Sequence, residues 1–240
     1  MIVQVKRDAQ STRTRLLESA RYLFWEKGFA ATGMAELLDR AQANSGSFYH
    51  FFDSKEALLL ALLDSYQEGL EPVIVQPAEA KYTDPLDRIF GILQGYRERL
   101  ITTECRYGCP IGRLALEIEA ENLPAHSRIA ANFSAWTAAV RRFLEAARER
   151  FPSGTDLDGL AGFVLTVMEG GVMQSRSYRK IEPFDHAVTH LRNYLEHLQK
   201  EKTIETSNRT HGTTGNSTSI RNRSARSRKS NAPGNTRKST

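Results

Sequence analysis

Cysteine and long apolar runs are both scarce in this sequence. Only two of the 240 residues are cysteine, Cys105 and Cys109, and the longest apolar stretch, 57–63, has seven residues. A helix that crosses a membrane needs about 20 apolar residues, and no early segment has the apolar core and cleavage site of a secretory signal. We therefore expect a cytoplasmic protein without membrane contact, whose cysteines are reduced thiols and form no structural disulfide.

The patterns of enzymes and metal proteins are also missing. The sequence has no glycine-rich phosphate loop and no nucleophile in a recognisable elbow, and its Cys and His residues carry no triad signature. With the two cysteines, the six histidines form no four-ligand zinc spacing. These histidines are His50, His126, His186, His190, His197 and His211. We therefore expect no catalytic residues, no metal and no cofactor.

Basic charge is concentrated at one end of the chain. Nine of the 33 Lys and Arg residues and two of the 28 Asp and Glu residues lie in 201–240, which leaves 24 basic and 26 acidic residues in 1–200, a net charge of −2. The terminal segment is rich in Ser, Thr, Asn, Arg and Gly and has little to bury, so we expect a disordered basic tail over 201–240. Any argument for DNA binding by the body must therefore rest on local charge.

Apolar residues recur at helical spacing along the rest of the chain, and no segment shows sustained strand alternation. Gly28 is placed to end the first helix, and Thr32 and Asp53 are placed to cap the second and fourth. The pattern predicts an all-α fold with nine helices over about 11–27, 32–39, 45–51, 53–70, 84–100, 110–120, 124–150, 155–178 and 183–199.

The breaks between helices predict three parts. Residues 1–54 form a DNA-binding domain, and helix 4, about 54–70, links it to the rest. A proline-containing hinge follows over 71–77. Residues 55–200 form a helical effector-binding and dimerisation domain, and 201–240 form the tail.

The segment from Thr32 to Phe52 carries the functional signal. It reads as two short helices joined by a tight turn, with an apolar set that can pack inward. The polar residues of the second short helix are left on the outer side, and none of them is a carboxylate, which suits a phosphate-rich groove. These outer residues are Ser45, Ser47, Tyr49 and His50.

The string Gly-x-Phe-Tyr-His-Phe-Phe-x-Ser-Lys-Glu-Ala-Leu, residues 46–58, resembles the TetR family of bacterial repressors. The resemblance is close over about 11–70, and the later helices agree with that family's nine-helix subunit. It implies a homodimer on a palindromic double-stranded DNA operator, released by a small-molecule effector. The alternative is a regulator or activator with the same helix-turn-helix and no effector.

Residue by residue, the resemblance implies that Ser45, Ser47, Tyr49 and His50 face DNA. Thr32 would present its hydroxyl, or the amino end of helix 2, to a phosphate, and Lys55 would reach another phosphate from the start of helix 4. Two positions depart from the family: the turn residue that is usually glycine is Gln42, and helix 3 begins at Ser45. Since helix 3 has no Arg, Lys or Gln, specificity is expected to depend on indirect readout and dimer spacing.

Each of these residues also has a simpler interpretation. Tyr49 and His50 could belong to the core, and Lys55 could be a solvated charge. Arg13, Arg15 and Arg21 could lie on a solvated helix face, and Arg13 or Arg15 could instead contact phosphate.

Helices 5 to 9 are rich in aromatic and thioether side chains, for which the resemblance implies an effector pocket; plain core packing is the alternative. The pocket candidates are Phe90, Tyr96, Tyr107, Phe133, Trp136 and Met168. A glycine pair inside helix 8 fits a close helix crossing at the dimer interface. The interface candidates are Leu165, Gly170, Gly171 and Val172.

The two cysteines allow two interpretations. Cys105 and Cys109 lie four residues apart beside Arg106, which could lower a thiol pKa and make it a sensor of oxidants or electrophiles. We favour two buried reduced thiols.

Overall fold

A computed structural model describes the backbone of residues 2–212 and the side chains of 11–204, 206 and 207. This part of the chain folds into nine helices and contains no strand, which confirms the all-α prediction. No helix in it is long and apolar enough to cross a bilayer. The helices are α1 (Ile2–Glu26), α2 (Met34–Ala41), α3 (Ser45–Phe51), α4 (55–81), α5 (Pro85–Thr102), α6 (Pro110–Glu117), α7 (Leu123–Ala146), α8 (Leu157–Tyr178) and α9 (Glu182–Gly212).

The first three helices form a small bundle around apolar residues spaced as the sequence predicted. Leu16 and Phe24 of α1, Leu37 of α2 and Phe48 of α3 are fully buried against one another. Gly28 ends the α1 segment at a φ of 96°, a left-handed conformation that favours glycine. The bundle therefore fixes α3 by one face and leaves its other face at the surface.

Helix α4 joins the two halves of the molecule and differs from the prediction. The two prolines led us to expect a hinge after about residue 70, yet the chain stays helical to residue 81, with a π-helical segment at Leu70–Val75 between α-helical parts Lys55–Gly69 and Gln76–Lys81. Pro72 has no backbone N–H, and the wider π turn is a known way to accommodate an interrupted ladder of hydrogen bonds. Buried Val75 anchors the segment to the core.

Both predicted amino-terminal helix caps are shifted by one residue. Gly33, not Thr32, precedes α2 and makes no side-chain cap. Ser54, not Asp53, caps α4 by accepting from the Ala57 N–H at 3.1 Å, and Asp156 caps α8. Capping needs extended backbone and a side chain aimed at the N2 or N3 amide, and sequence spacing does not resolve that geometry to one residue.

The second half packs α5, α7, α8 and α9 around a shared core, with α8 between α7 and α9. Buried Val140, Val164 and Leu191 mark the two contacts of α8. Because α4 packs against both α1 and α7, it holds this core against the amino-terminal bundle.

Helix α9 is longer than predicted. We expected it to end near Gln199 and the chain to be disordered from residue 201, but the helix continues to Gly212. Two hydroxyls on this extension donate to carbonyls one turn back, Thr203 to Gln199 and Thr206 to Lys202. The remaining residues of the predicted tail, 213–240, lie outside the described residues.

Candidate DNA-binding surface and internal cavity

The turn between α2 and α3 sets the direction of α3. Gln42 adopts a left-handed conformation at a φ of 49°, in the position where we noted the absence of glycine. Asn44 then caps α3, its side chain accepting from the Ser47 N–H at 2.8 Å. A cap at this residue satisfies an amide that the first turn would leave without a partner, so α3 begins at a fixed point.

The outer face of α3 carries the predicted polar residues. Ser45, Tyr49 and His50 are exposed, with Tyr49 59% accessible, and Ser47 is half-buried. Phe48 is fully buried and supports the Tyr49 ring edge-to-face at 5.3 Å. The interpretation of Tyr49 and His50 as core residues is therefore wrong, because the phenylalanines occupy the inner face.

Thr32 does not offer its hydroxyl to solvent. The side chain is 1% exposed, and the hydroxyl donates to the Gly28 carbonyl at 2.7 Å. Of the two roles expected for this position, the hydroxyl contact with phosphate is therefore wrong in this structure. The exposed amino end of α2 at Gly33, which has no side-chain cap, is the group left for that role.

Lys55 also differs from the expectation. Its ammonium donates to the carbonyls of Phe29 at 2.8 Å and Thr32 at 2.9 Å, and it lies 4.3 Å from the centre of the Phe29 ring. These contacts tie the start of α4 to the loop between α1 and α2. The Lys55 ammonium therefore neither contacts phosphate nor is freely solvated in this structure. Both carbonyls would lose their donor if the ammonium moved away.

We expect Lys55→Ala to lower the free energy of unfolding by about 1–2 kcal/mol, because two partly buried carbonyls lose a charged donor. The salt dependence of operator binding is expected to stay as in the wild type, since the ammonium is not on a phosphate. Urea unfolding and gel shifts at several salt concentrations measure the two effects. Exposed Arg13, whose guanidinium lies 5.6 Å from the centre of the Phe52 ring, provides the comparison through Arg13→Ala. If Lys55→Ala instead reduced the salt dependence of operator binding by about one phosphate contact and left the stability unchanged, Lys55 would contact DNA.

A cavity of about 310 Å³ lies between the amino-terminal bundle and the core of the second half. Four of the six predicted pocket residues line it: Tyr96, Phe133, Trp136 and Met168. The other lining residues come from α1 and from α4 to α8, and the most informative of them are Arg21, Tyr66, Cys109, Ile111 and Glu169. Composition alone could not find these, because they lie far apart in the sequence.

Phe90 and Tyr107 do not line this cavity. Phe90 is buried in the core, and the Arg192 guanidinium lies 3.7 Å from its ring centre. Tyr107 packs on Trp25 of α1 at 4.6 Å between ring centres, and its hydroxyl donates to Glu26. Both rings therefore join helices to one another and contact no internal space of useful size.

A cluster of protonatable groups lies on one side of the cavity. Burial raises the pKa of the Cys109 thiol, the Tyr96 hydroxyl and the Glu169 carboxyl, and Cys109 lies beside Glu169. Each of these groups is therefore held toward its neutral form.

The two cysteines are free and buried. Burial raises the pKa of the Cys105 thiol as it does that of Cys109. An activated sensor thiol requires the opposite shift, so the surroundings of both residues favour unreactive reduced thiols.

The predicted dimer-interface residues occupy different places. Gly171 and Val172 are buried within the subunit, and an added Cβ on Gly171 would lie 3.0 Å from Phe184 of α9. Leu165 lines the cavity and is half-buried, as is Gly170. The glycine pair therefore serves the α8–α9 contact through Gly171 and does not show that Gly171 or Val172 meets a second subunit.

An exposed apolar stripe on α8 and α9 lies beside these positions. Phe163 and Met173 of α8 and Tyr194 of α9 are exposed, and the rings of Phe163 and Tyr194 meet edge-to-face at 5.8 Å. The helical periodicity of the sequence includes these three residues. We chose the glycine pair as the signal of the dimer interface, and that pair belongs to the face of α8 that packs inward.

Helix α6 connects the cavity to the amino-terminal bundle. Its preceding loop accepts a hydrogen bond from the Trp25 indole N–H at the Gly108 carbonyl, 2.6 Å away. At its other end, Glu117 accepts from the Phe29 N–H at 2.7 Å and pairs with Arg113 at 3.6 Å. Both ends of α6 thus hold the end of α1 and the loop that follows it.

Two family matches cover most of the described chain. Residues 16–62 match the family described as bacterial regulatory proteins, tetR family. Residues 85–191 match the tetracyclin repressor-like, C-terminal domain.

Relatives and solved structures agree with these matches. The chain is 30% identical over 201 residues to the transcriptional repressor NemR of Escherichia coli K12, covering 79% of this chain and 96% of NemR. It is 26% identical over 179 residues to the transcriptional repressor DhaR of Mycobacterium sp. strain GP1, covering 74% and 88%. The crystal structure of reduced E. coli NemR superimposes with a TM-score of 0.68 at 26% identity, covering 76% of this chain and 96% of that one.

Proposed function

The chain belongs to the TetR family of DNA-binding transcriptional regulators, and we propose that it is a homodimeric repressor released from a palindromic operator by a small-molecule effector. One observation carries the proposal: α3 is anchored by Phe48 on one face and presents polar, carboxylate-free residues on the other, while a cavity lies beneath the bundle that holds it. We place its action in the cytoplasm, the DNA-binding domain in 1–54, and the effector and dimerisation functions in 55–200.

The proposed contacts with DNA come from α3 and the amino end of α2. Ser45, Tyr49 and His50 are exposed where a helix-turn-helix meets the major groove, and half-buried Ser47 borders them. Hydroxyl and imidazole groups bind phosphates well but read few bases in a bidentate manner. We therefore expect sequence preference to come largely from DNA shape and from the spacing of two half-sites.

Tyr49→Phe is expected to weaken operator binding by about 1–2 kcal/mol, because the phenolic hydroxyl loses a contact with a phosphate. The ring keeps its edge-to-face packing on Phe48, so the fold is preserved. Gel-shift titration measures the affinity. Tyr178→Phe, at an exposed tyrosine of α8, provides the control, and equal affinities for Tyr49→Phe and the wild type would remove this hydroxyl from the interface.

The proposed route from effector to DNA runs through α6. Cys109 and Ile111, at the start of α6, line the cavity, while Glu117 at its end holds the Phe29 amide. A molecule that fills the cavity must contact the first turn of α6. Because the helix is only eight residues long, a displacement at one end moves the other, which reorients the bundle that carries α3.

The test of the proposed function starts from the unknown operator. Selection from random double-stranded DNA with the full-length protein is expected to yield a palindrome with half-sites about one helical turn apart or a multiple of it. Placing that sequence between promoter elements is expected to reduce transcription in vitro when the protein is added. Increased transcription would identify an activator, and failure to select any sequence would contradict the proposal.

A further inference from the structure

Two polar atoms beside the cavity lack a hydrogen-bond partner. They are Nε1 of Trp136 and Oε1 of Glu169; among the described side chains only one other buried nitrogen or oxygen, on Arg113, has none. The Tyr96 hydroxyl lies beside the Trp136 indole N–H. Buried polar groups are almost always paired, and those that are not call for an explanation. Here both residues line the same cavity, which indicates that a bound molecule supplies the missing partners.

The Glu169 carboxyl has no cationic partner in the described part of the chain. Its thiol neighbour is Cys109, and its other oxygen lies where a Cβ on Gly112 would be only 2.5 Å away. The two arginines that line the cavity form no ion pair with Glu169: Arg21 donates to Ser65 and lies over Tyr66, two other lining residues, and Arg99 is exposed. The Glu169 carboxyl therefore lies in the cavity without an ion-pair partner among the described residues, while the two guanidinium groups lie on other parts of the cavity wall.

The walls around this carboxyl are aromatic. Tyr66, Tyr96, Phe133 and Trp136 line the cavity together with Met168. Aromatic faces attract cations, most strongly when both are removed from water. An unpaired carboxyl among aromatic rings is thus complementary to a positive charge carried by an apolar molecule.

We propose that the cavity binds a small arylalkylamine in its ammonium form, whose nitrogen donates to Glu169 while an acceptor on the same molecule, or a water it retains, receives the Trp136 N–H. This assignment rests on the proposed function, because it names the chemical class of the effector. A volume of about 310 Å³ lies at the lower end of drug-sized pockets, which fits a body of about two rings. A carboxylate placed next to Glu169 is disfavoured by the carboxyl already present.

Three probes of matched shape test the charge preference. They are 2-(1-naphthyl)ethylamine, 1-propylnaphthalene and 3-(1-naphthyl)propanoate, which carry a cation, no charge and an anion. Binding to the full-length protein is measured by titration calorimetry or naphthalene fluorescence. We expect the amine to bind at least 10-fold more tightly than propylnaphthalene and the propanoate to bind least.

Glu169→Gln keeps the shape of the side chain and removes the acid. We expect the preference for the amine over propylnaphthalene to fall about 10- to 100-fold, the range for loss of a hydrogen bond to a charged group. Glu121→Gln, at an exposed carboxylate outside the cavity, is expected to keep the wild-type preference. The comparison of the three probes on the wild type needs no variant, so it decides the question even if Glu169→Gln folds poorly.

The pH dependence supplies an independent measure. Burial raises the pKa of Glu169, and the protonated acid must lose its proton to pair with a cation. Amine affinity is therefore expected to rise as pH increases through that raised pKa and then level off, with a proton released on binding. Tyr96 and Cys109, the titratable groups facing Glu169, have raised pKa values and stay protonated in this range; the other ionisable side chains on the cavity wall are Arg21, Tyr66 and Arg99.

Three results would overturn the assignment: equal binding of the amine and propylnaphthalene, preference for the propanoate, or no binding of the amine at millimolar concentration. Operator release is measured separately by gel shift with the same amine. If the amine binds through Glu169 but leaves the operator complex intact, the ligand class stands and the proposed release by effector fails.

Discussion

Phe163→Asp is expected to give a folded subunit that no longer dimerises. Phe163 is 43% exposed on α8 and meets Tyr194 of α9 edge-to-face, so it forms part of the apolar stripe that we propose as the interface. Large exposed apolar patches mark interaction sites. In a twofold dimer the same patch faces itself, so the substitution places two carboxylates in one desolvated contact. Light scattering is expected to report about 27 kDa, the mass of one chain.

The loss of dimerisation is expected to reduce operator affinity by roughly 100-fold or more, because two linked reading helices gain avidity of that order over one. Leu123→Asp provides the control: Leu123 is exposed at the start of α7, outside the stripe, and the variant is expected to stay dimeric. A Phe163→Asp protein that remains dimeric at micromolar concentration would place the interface elsewhere.

Local sequence signals predicted the DNA-binding helix well. Helix α3 spans Ser45–Phe51 as expected, because a polar residue directly before the helix and an apolar residue on its inner face lie within a few residues of one another. The left-handed Gln42 was likewise predictable from its position in the turn. These features depend on interactions within one or two turns, which is the range over which sequence pattern is informative.

Side-chain partners across the molecule could not be predicted in the same way. The Lys55 ammonium binds carbonyls 23 and 26 residues away, and the Trp25 indole binds a carbonyl 83 residues away. A lysine at the start of a helix has the same sequence signature whether it points to phosphate or to a backbone carbonyl. The lack of an ion-pair partner for Glu169 among the side chains that the structure describes could not be predicted from sequence either, because only the packing of α6 against α8 shows it.

The glycine pair of α8 correctly predicted a close helix crossing, but the helix on the other side of that crossing is not the one we expected. A glycine pair inside a helix implies a close neighbour, and Gly171 has one. That neighbour is Phe184 of α9 in the same subunit, while an added Cβ on Gly170 meets nothing within 4 Å. The close crossing therefore stabilises the subunit core, and the exposed stripe around Phe163 is left as the proposed dimer face.

Gly171→Leu is accordingly expected to destabilise the subunit itself. A Cβ at this position would lie 3.0 Å from the Phe184 ring, 3.3 Å from its Cα and 3.6 Å from the Ala187 Cβ. The Phe184 Cα is a backbone atom and cannot rotate away as a side chain can, so α8 and α9 must move apart to make room. Overpacking of this kind costs about 1–3 kcal/mol, and a full leucine side chain places the expected loss at the upper end of that range or above it. Urea unfolding at equal protomer concentration measures it, because a dimer's apparent stability depends on concentration.

Two smaller substitutions make this test decisive. Gly171→Ala is expected to lose stability although alanine favours the helix, because its Cβ alone meets Phe184. Gly95→Ala, in the exposed interior of α5 with nothing within 4 Å of the added Cβ, is expected to gain about 0.5–1 kcal/mol from helix propensity. Opposite signs at the two glycines would locate the close crossing inside the subunit. A Gly171→Leu protein that unfolds like the wild type but sediments as a monomer would instead return Gly171 to the interface between subunits.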